Sequence, residues 1–291
     1  MRVLVTGAKG QLGHDVVAEL NRRGMDVIGV DVDEMDITDA NSVDSVLSQA
    51  IPDAVIHCAA WTAVDAAEES ENLERVYAVN VEGTKNVAEI CKRLGCRMMY
   101  ISTDYVFNGQ GIEPWHADCK EYEPLSVYGK TKLEGELAVA KALTSFFIVR
   151  IAWAFGINGK NFVKTMLHLS DKYESLRVVN DQIGTPTYTH DLSRLLVDMI
   201  QTEKYGYYHA TNEGGFLSWA DFAMEIFRQA DKKTKVIEVT TEVYGVSKAK
   251  RPQNSRLDKS KLVQNGFEPL PSWQDALARF LKEWRKQNGK I

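Results

Sequence analysis

Residues 5–17 read VTGAKGQLGHDVV. A β-branched run ends in three glycines, Gly7, Gly10 and Gly13, at GxxGxxG spacing, and a helical pattern follows them. Glycines here let the chain turn tightly from strand to helix and let its backbone approach a pyrophosphate, whose charge then sits at the helix N-terminus. The spacing differs from the GxGxxG of the common dinucleotide fingerprint, and alone it means only a tight turn. Its surroundings decide the matter. The motif closes the first strand of a βαβ unit, and the second strand ends in GVDVDEMDITD (29–39), which places Asp31 eighteen residues beyond Gly13. An acidic residue at that point accepts hydrogen bonds from the adenosine ribose and disfavours a 2′-phosphate. A bound dinucleotide is therefore expected. Asp31 leans towards NADH, while Lys9, Arg22 and Arg23 keep NADPH, and so dual use, open.

Outward from this turn, residues 1 to about 150 alternate short strand-like runs (RVLVTG, DVIGVDV, DAVIHCA, RMMYIST, FFIVRIA) with amphipathic segments. That order calls for an α/β protein with a Rossmann-like, doubly wound parallel sheet. Beyond residue 155 the pattern turns mainly helical. Segments 161–176, 189–201, 218–230 and 272–287 have helical patterns and 177–181 a strand-like one. The expected division is a dinucleotide-binding domain over 1–151, rejoined by about 184–216, and a smaller, mainly helical C-terminal substrate lobe from 152–183 and 217–291. No linker stands out, so the lobes are expected to pack together around a cleft.

The bulk numbers narrow the class. With 291 residues, 44% hydrophobic and 26% charged, the chain is ordinary for a globular protein, and a net charge of −5 gives no reason to expect nucleic acid. The four cysteines, Cys58, Cys91, Cys96 and Cys119, show no CxxC spacing, and Cys58 lies in an apolar run. No apolar stretch approaches the ~20 residues of a membrane span, and MRVLVTG enters a strand without a leader pattern. A cytoplasmic protein is expected, without a membrane or nucleic-acid partner.

A second stretch, SVYGKTKLEGE (126–136), places Tyr128 and Lys132 one helical turn apart on one face. A cation beside a phenol is expected to lower its pKa and fit it for acid or base work. The spacing alone is not specific, because Tyr244 and Lys248 share it, even to the following glycine. Context separates the two. The strand RMMYIST delivers Ser102, Thr103 and Asp104 to the carboxyl edge of the sheet, where open α/β folds bind ligands, and Tyr128 follows at the start of the next helix. A hydroxyl, a Tyr/Lys pair and a nicotinamide cofactor together make a carbonyl-reduction site.

Through TGAKGQLG, STDYVF and YGKTK the chain resembles the extended short-chain dehydrogenase/reductases. Within them AAWTAVDAAE (59–68), STDYVFNG (102–109), RIAWAFG (150–156), NFVKTML (161–167), DQIGTPTY (181–188) and RPQNSRLDKSKL (251–262) make it similar to the branch that acts on nucleotide-linked ketosugars. The resemblance covers nearly the whole chain. It implies NAD(P)H-dependent reduction of the C4 ketone of dTDP-4-dehydro-L-rhamnose to dTDP-L-rhamnose, a step towards cell-surface polysaccharide. Thr103, Tyr128 and Lys132 would be the catalytic triad. Gly7, Gly10, Gln11 and Leu12 would hold the pyrophosphate, Asp31 the ribose, and Asp36 and Ile37 the adenine side. Ala59, Ala60 and Thr62 would hold the cofactor's inner half, together with Tyr128 and Lys132. Thr103, Asp104 and Trp153 would meet the sugar, with Asn161, Gln182, Arg251 and Arg256 towards its diphosphate end.

Two alternatives stay open at this level: another nucleotide-sugar enzyme of the same fold, and a non-catalytic binding or regulatory subunit. The related dehydratases carry an acidic pair after the threonine; here Tyr105 follows Asp104, which argues against elimination. Asp15, Glu19, Asp191 and Asp198 are weighed for Mg²⁺, but scattered carboxylates are usually solvated helix faces, and no metal is assigned. A homodimer is compatible with the sequence, which does not decide the assembly.

Overall fold

The structure is a computed structural model that describes residues 1–289. Strands β1 (Arg2–Thr6), β2 (Asp26–Val30), β3 (Ala54–His57), β4 (Arg97–Thr103) and β5 (Phe146–Ile151) alternate with helices α1 (Gln11–Arg22), α2 (Ala40–Ala50), α3 (Leu73–Tyr77), α4 (Thr84–Leu94) and α5 (Val127–Ala142). A π-helical turn over Ala78–Gly83 joins α3 to α4. The second half adds β6 (Ala154–Phe155), α6 (Phe162–Ser170), β7 (Ser175–Val179), β8 (Ile183–Gly184), β9 (Thr187–Tyr188), α7 (Thr189–Ile200), β10 (Gly206–His209) and β11 (Leu217–Ser218). It closes with α8 (Trp219–Ala230), β12 (Lys235–Val239), α9 (Thr241–Tyr244), α10 (Ser260–Gln264) and α11 (Trp273–Asn288).

Six strands form one parallel sheet in the order β10-β5-β4-β3-β1-β2. The chain leaves β1 towards β2 on one side and returns to β3 on the other. The switch point therefore lies beside β1, whose carboxyl end carries the glycine turn. Alternation along β1 sets the two faces: Val3 and Val5 pack with Val16 and Leu20 of α1 and Leu192 and Leu196 of α7, while Leu4 packs with Val43, Leu47, Val87 and Val139. A separate apolar core joins Val163, Phe222, Ile226, Leu277 and Phe280 around Phe155 and Tyr188.

The structure departs from the sequence reading in two places. The helix expected over 161–176 stops at Ser170, and the strand expected over 177–181 starts earlier, running from Ser175 to Val179 in parallel with β12. The Leu169 carbonyl accepts from both the Lys172 and Tyr173 amides in a closing turn, after which the chain extends into the strand. In addition, GYYH at 206–209 is a sixth sheet strand, registered on β5 from Phe147 to Arg150. All four cysteines are free thiols. Among the described residues no helix is long and apolar enough to cross a membrane.

Candidate active site

The glycine turn is built for close approach. Gly7 has φ +64°, and a Cβ on it would meet the Ala59 amide nitrogen at 2.8 Å; a Cβ on Gly13 would lie 2.1 Å from the Gly7 carbonyl oxygen. α1 starts at Gln11 behind Gly10, and no side chain caps its N-terminus. Amides at a helix start without a capping side chain suit an anion such as a pyrophosphate. The turn thus packs directly against the start of the Ala59–Thr62 loop. That loop is tied down by the Ala59 amide on the Thr6 hydroxyl (3.1 Å) and by Asn80, whose Oδ1 accepts from the Trp61 amide (2.8 Å).

At the end of β2, the Asp31 carboxylate accepts from the Lys9 amide (2.9 Å), which holds it against the glycine turn. Asp36 is exposed and accepts from Thr38, whereas the Ile37 side chain is buried in the core, where a Cβ on Gly83 would touch it. Leu12 packs under the sheet. From the other side the 156–161 loop crosses the glycine turn. Asn158 Nδ2 donates to the carbonyls of Lys9 (2.8 Å) and Gly10 (3.1 Å), and Asn161 Nδ2 donates to Gln11 Oε1 (2.9 Å). Asn161 also caps α6 through the Lys164 amide. Its side chain is therefore engaged at the glycine turn, through Gln11, whereas Gln182, with which the sequence reading grouped it, bonds to Thr241.

Thr103 ends β4, and its neighbour Tyr128 opens α5, where Ser126 caps the helix through the Gly129 amide. The buried Thr103 hydroxyl donates to Asp104 Oδ1 (3.0 Å) and stands close enough to Tyr128 to pull the phenol's pKa down. Crowding by protein atoms dominates, however, and holds Tyr128 up at about 12. The lowering expected from Lys132 is not what the structure has. Burial takes Lys132 itself down to about 7, against the pull of Glu136 and Cys58, and its Nζ lies 4.0 Å from the Tyr100 ring centroid. Tyr128 is consequently a protonated phenol throughout the neutral range.

Burial also raises Asp104 to about 6, partly offset by the Ser255 and Thr103 hydroxyls; among the described residues its Oδ2 has no hydrogen-bond partner in good geometry. Tyr105 packs edge-on against Tyr128, with centroids 5.5 Å apart. Trp153 has φ +51° and stacks on Trp219 at 3.7 Å, and a Cβ on Gly184 would crowd both Trp153 and Ser255. Thr103, Asp104, Tyr105, Tyr128, Ser255 and Trp153 thus converge at the carboxyl edge of β4 and β5.

The outlying candidates are less tightly grouped. Gln182 is buried and donates to the Thr241 hydroxyl (3.0 Å). Arg251 donates to Asp65 (2.7 Å) and interacts with the Tyr105 hydroxyl, so it borders the cleft. Arg256 donates to Asn254 (3.0 Å) and lies over Phe216. The four carboxylates weighed for Mg²⁺ all have protein partners: Glu19 with Arg22 and Arg23, Asp198 with Arg23, Asp191 with Arg279, and Asp15 with Thr189. The rival Tyr244/Lys248 pair is not one helical face at all. Gly245, in the left-handed region, ends α9 after Tyr244, and Lys248 pairs with Glu69.

Three participants escaped the sequence reading. Ser255 and Trp219 come from distant segments and carry no local mark. Glu136 did have one, lying four residues after Lys132 on the same ridge as Tyr128. Its partner is Arg150, in the middle of the apolar run of β5; both are fully buried and joined by two bonds of 2.8 and 2.7 Å.

This fold, with a glycine turn after its first strand and a hydroxyl and a protonated phenol at the carboxyl edge of β4, defines an oxidoreductase of the short-chain dehydrogenase/reductase class. Within that class the chain belongs to the family described as the RmlD substrate binding domain, matched over residues 1–286. It is 41% identical over 282 residues to dTDP-4-dehydrorhamnose reductase of Streptomyces griseus, covering 95% of this chain and 91% of that one. It is 39% identical to the spore coat polysaccharide biosynthesis protein SpsK of Bacillus subtilis, with 97% of each chain covered. The crystal structure of dTDP-4-dehydrorhamnose reductase from Bacillus anthracis in complex with NADP superposes with a TM-score of 0.92 at 41% identity, covering 97% of this chain and 99% of that one.

Proposed function

We propose that this chain reduces the C4 ketone of dTDP-4-dehydro-L-rhamnose to dTDP-L-rhamnose, using a reduced nicotinamide dinucleotide. The observation that carries the reading is the meeting of the Thr103 hydroxyl and the protonated Tyr128 phenol at the carboxyl edge of the sheet, the edge that also carries the glycine turn after β1. The comparisons supply the substrate class: relatives that bear this reductase name match over almost the full length.

When bound, the dinucleotide supplies the hydride for the carbonyl carbon. The chain does the rest. Tyr128 donates its proton to the oxygen as negative charge develops there, and Thr103 hydrogen-bonds the same oxygen. Lys132 holds the nicotinamide ribose and, when protonated, stabilises the phenolate left on Tyr128. Tyr105 occupies the position at which elimination would require a second acid, so the product keeps its oxygen.

The division of labour follows the sheet. Residues 1–151 with about 184–216 take the dinucleotide, at Gly7, Gly10, Gln11, Leu12, Asp31, Asp36, Ile37, Ala59, Ala60 and Thr62. Residues 152–183 and 217–291 take the nucleotide sugar, Trp153 against the ring and Arg251 towards the phosphates, with Gln182 and Arg256 beyond. Asp31 favours NADH, and NADPH is also used. A cytoplasmic setting belongs to this reading.

The test supplies dTDP-4-dehydro-L-rhamnose and cofactor deuterated at the transferring position. Deuterium at C4 of the product sugar, read by NMR, is the expected result. Cofactor oxidation without C4 label, or none with this ketosugar, overturns the assignment.

A further inference from the structure

Lys132 is buried, and the titratable groups that face it come from several elements: Tyr128 and Glu136 on its own helix α5, Tyr100 on β4, and His57 and Cys58 at the end of β3. The Tyr100 ring lies under the ammonium, its centroid 4.0 Å from Nζ, and its hydroxyl donates to the Lys132 carbonyl (3.2 Å). Gly135 makes room for this plate, since a Cβ there would lie 2.3 Å from the Tyr100 hydroxyl. His57 stacks on Tyr100 and is hydrogen-bonded to Thr6 (2.8 Å) and Thr84 (3.3 Å). Burial keeps both phenols and the Cys58 thiol protonated near pH 7 and leaves His57 neutral. Glu136 is thus the charged member of this set.

The Glu136 side chain lies one helical turn beyond Lys132 on the same ridge. Its two oxygens accept from Arg150 Nε (2.8 Å) and Nη2 (2.7 Å), and both side chains are 0% exposed. Arg150 is held in turn by the Ala117 carbonyl (3.2 Å) and the Tyr122 hydroxyl (3.0 Å), so the carboxylate has a fixed place. A buried ion pair stabilises a fold little, or less, than apolar side chains of the same size. Stability therefore gives no reason for a carboxylate here. Its position beside a buried ammonium does, because burial alone would strip Lys132 of its proton and the Glu136 charge opposes that.

We propose that Glu136, clamped by Arg150, is a positioning residue for Lys132: its carboxylate keeps the buried ammonium charged, in the form that can stabilise the Tyr128 phenolate. The inference rests on the reductase reading of Tyr128 and Lys132. Glu136 acts through Lys132 and touches neither cofactor nor sugar in this account.

The test reads Lys132 twice. Lysine side chains labelled with ¹³C are titrated by NMR in the full chain, with Lys132→Met to identify the signal, and the single-turnover oxidation of bound NADH or NADPH by dTDP-4-dehydro-L-rhamnose is followed from pH 5.5 to 8. Glu136→Gln alone would leave Arg150 unpaired and endanger the fold, so the variants are the charge-balanced Glu136→Leu/Arg150→Met and the charge-conserving Glu136→Asp. Wild-type Lys132 should titrate near pH 7, and the double variant at least about one pH unit lower. A midpoint one unit lower leaves about a tenth of the ammonium at pH 8, so oxidation by the double variant should be about ten-fold slower there and within about two-fold of wild type at pH 5.5. Glu136→Asp should titrate within about half a unit of wild type. A Lys132 midpoint unchanged in the double variant overturns the proposal, as does a rate loss of equal size at pH 5.5 and 8, which is the mark of a purely structural role. A midpoint that moves as expected in a protein whose wild type does not oxidise the cofactor would instead overturn the reductase reading.

Discussion

Asp104 shows what burial does to one side chain of this cleft. Its carboxyl, ordinarily near 3.8, is raised to about 6 because charge is poorly solvated there. A raised carboxyl favours the fold most below its unfolded pKa, and that contribution is lost as pH rises through about 6. Wild type should therefore lose roughly 2–3 kcal/mol from this group between pH 4 and 8. Asp104→Asn should lack that fall, so its stability relative to wild type should improve with pH when denaturant curves are compared at pH 4.5 and 8. A relative stability that is the same at both values would mean that the carboxyl is not strained. The same crowding keeps Tyr128 protonated. The Tyr/Lys spacing was legible in sequence, but the sign of the phenol's shift was not, because it depends on atoms brought in by β4 and the segment around residue 255.

Among the elements, α5 carries the most functional weight. Tyr128, Lys132 and Glu136 rise along one ridge, and Glu136 is fixed by Arg150 of β5, which also donates to the Ala117 carbonyl and the Tyr122 hydroxyl. Removing one partner leaves a buried charge alone. Glu136→Gln should cost about 3–5 kcal/mol of folding stability, and the paired change Glu136→Leu/Arg150→Met should cost less than the single change. Urea unfolding of both variants decides this; a double variant less stable than the single one would show that the pair stabilises in its own right.

The alternating elements of the first half were legible because each β–α unit marks itself locally. β7 was legible only from residue 177 on, as the strand-like 177–181; its start at Ser175 was not, because its pairing partner β12 lies some 60 residues on and the apolar pattern before it reads equally well as helix. β10 was missed for a similar reason: GYYH offers two tyrosines and a histidine, and only the edge of β5 makes it a strand. Arg150 hid inside an apolar run, where a charge reads as an interruption until its partner is in view.

At the scale of the molecule, the 156–161 loop leads into the α6–α8–α11 core and also grips the glycine turn. Asn158 alone makes two bonds to that turn's carbonyls. Asn158→Ala should raise the dinucleotide dissociation constant about five-fold, the worth of roughly 1 kcal/mol of hydrogen bonding, with little change in thermal midpoint. Unchanged cofactor affinity in calorimetry would show that the turn keeps its shape unaided. The stacked Trp153 and Trp219 pack against the same core, so the proposed sugar side of the cleft and the loop that grips the glycine turn belong to one packed unit.

In the proposed reaction everything turns on Tyr128 as the proton donor to the carbonyl oxygen. The most direct measurement compares wild type with Tyr128→Phe in single-turnover oxidation of bound NADH or NADPH by dTDP-4-dehydro-L-rhamnose, with cofactor affinity measured in parallel. The variant is expected to bind cofactor within about two-fold of wild type and to lose at least ~100-fold in the rate of oxidation, the scale of general acid catalysis. Oxidation at the wild-type rate in a variant that binds normally would contradict it.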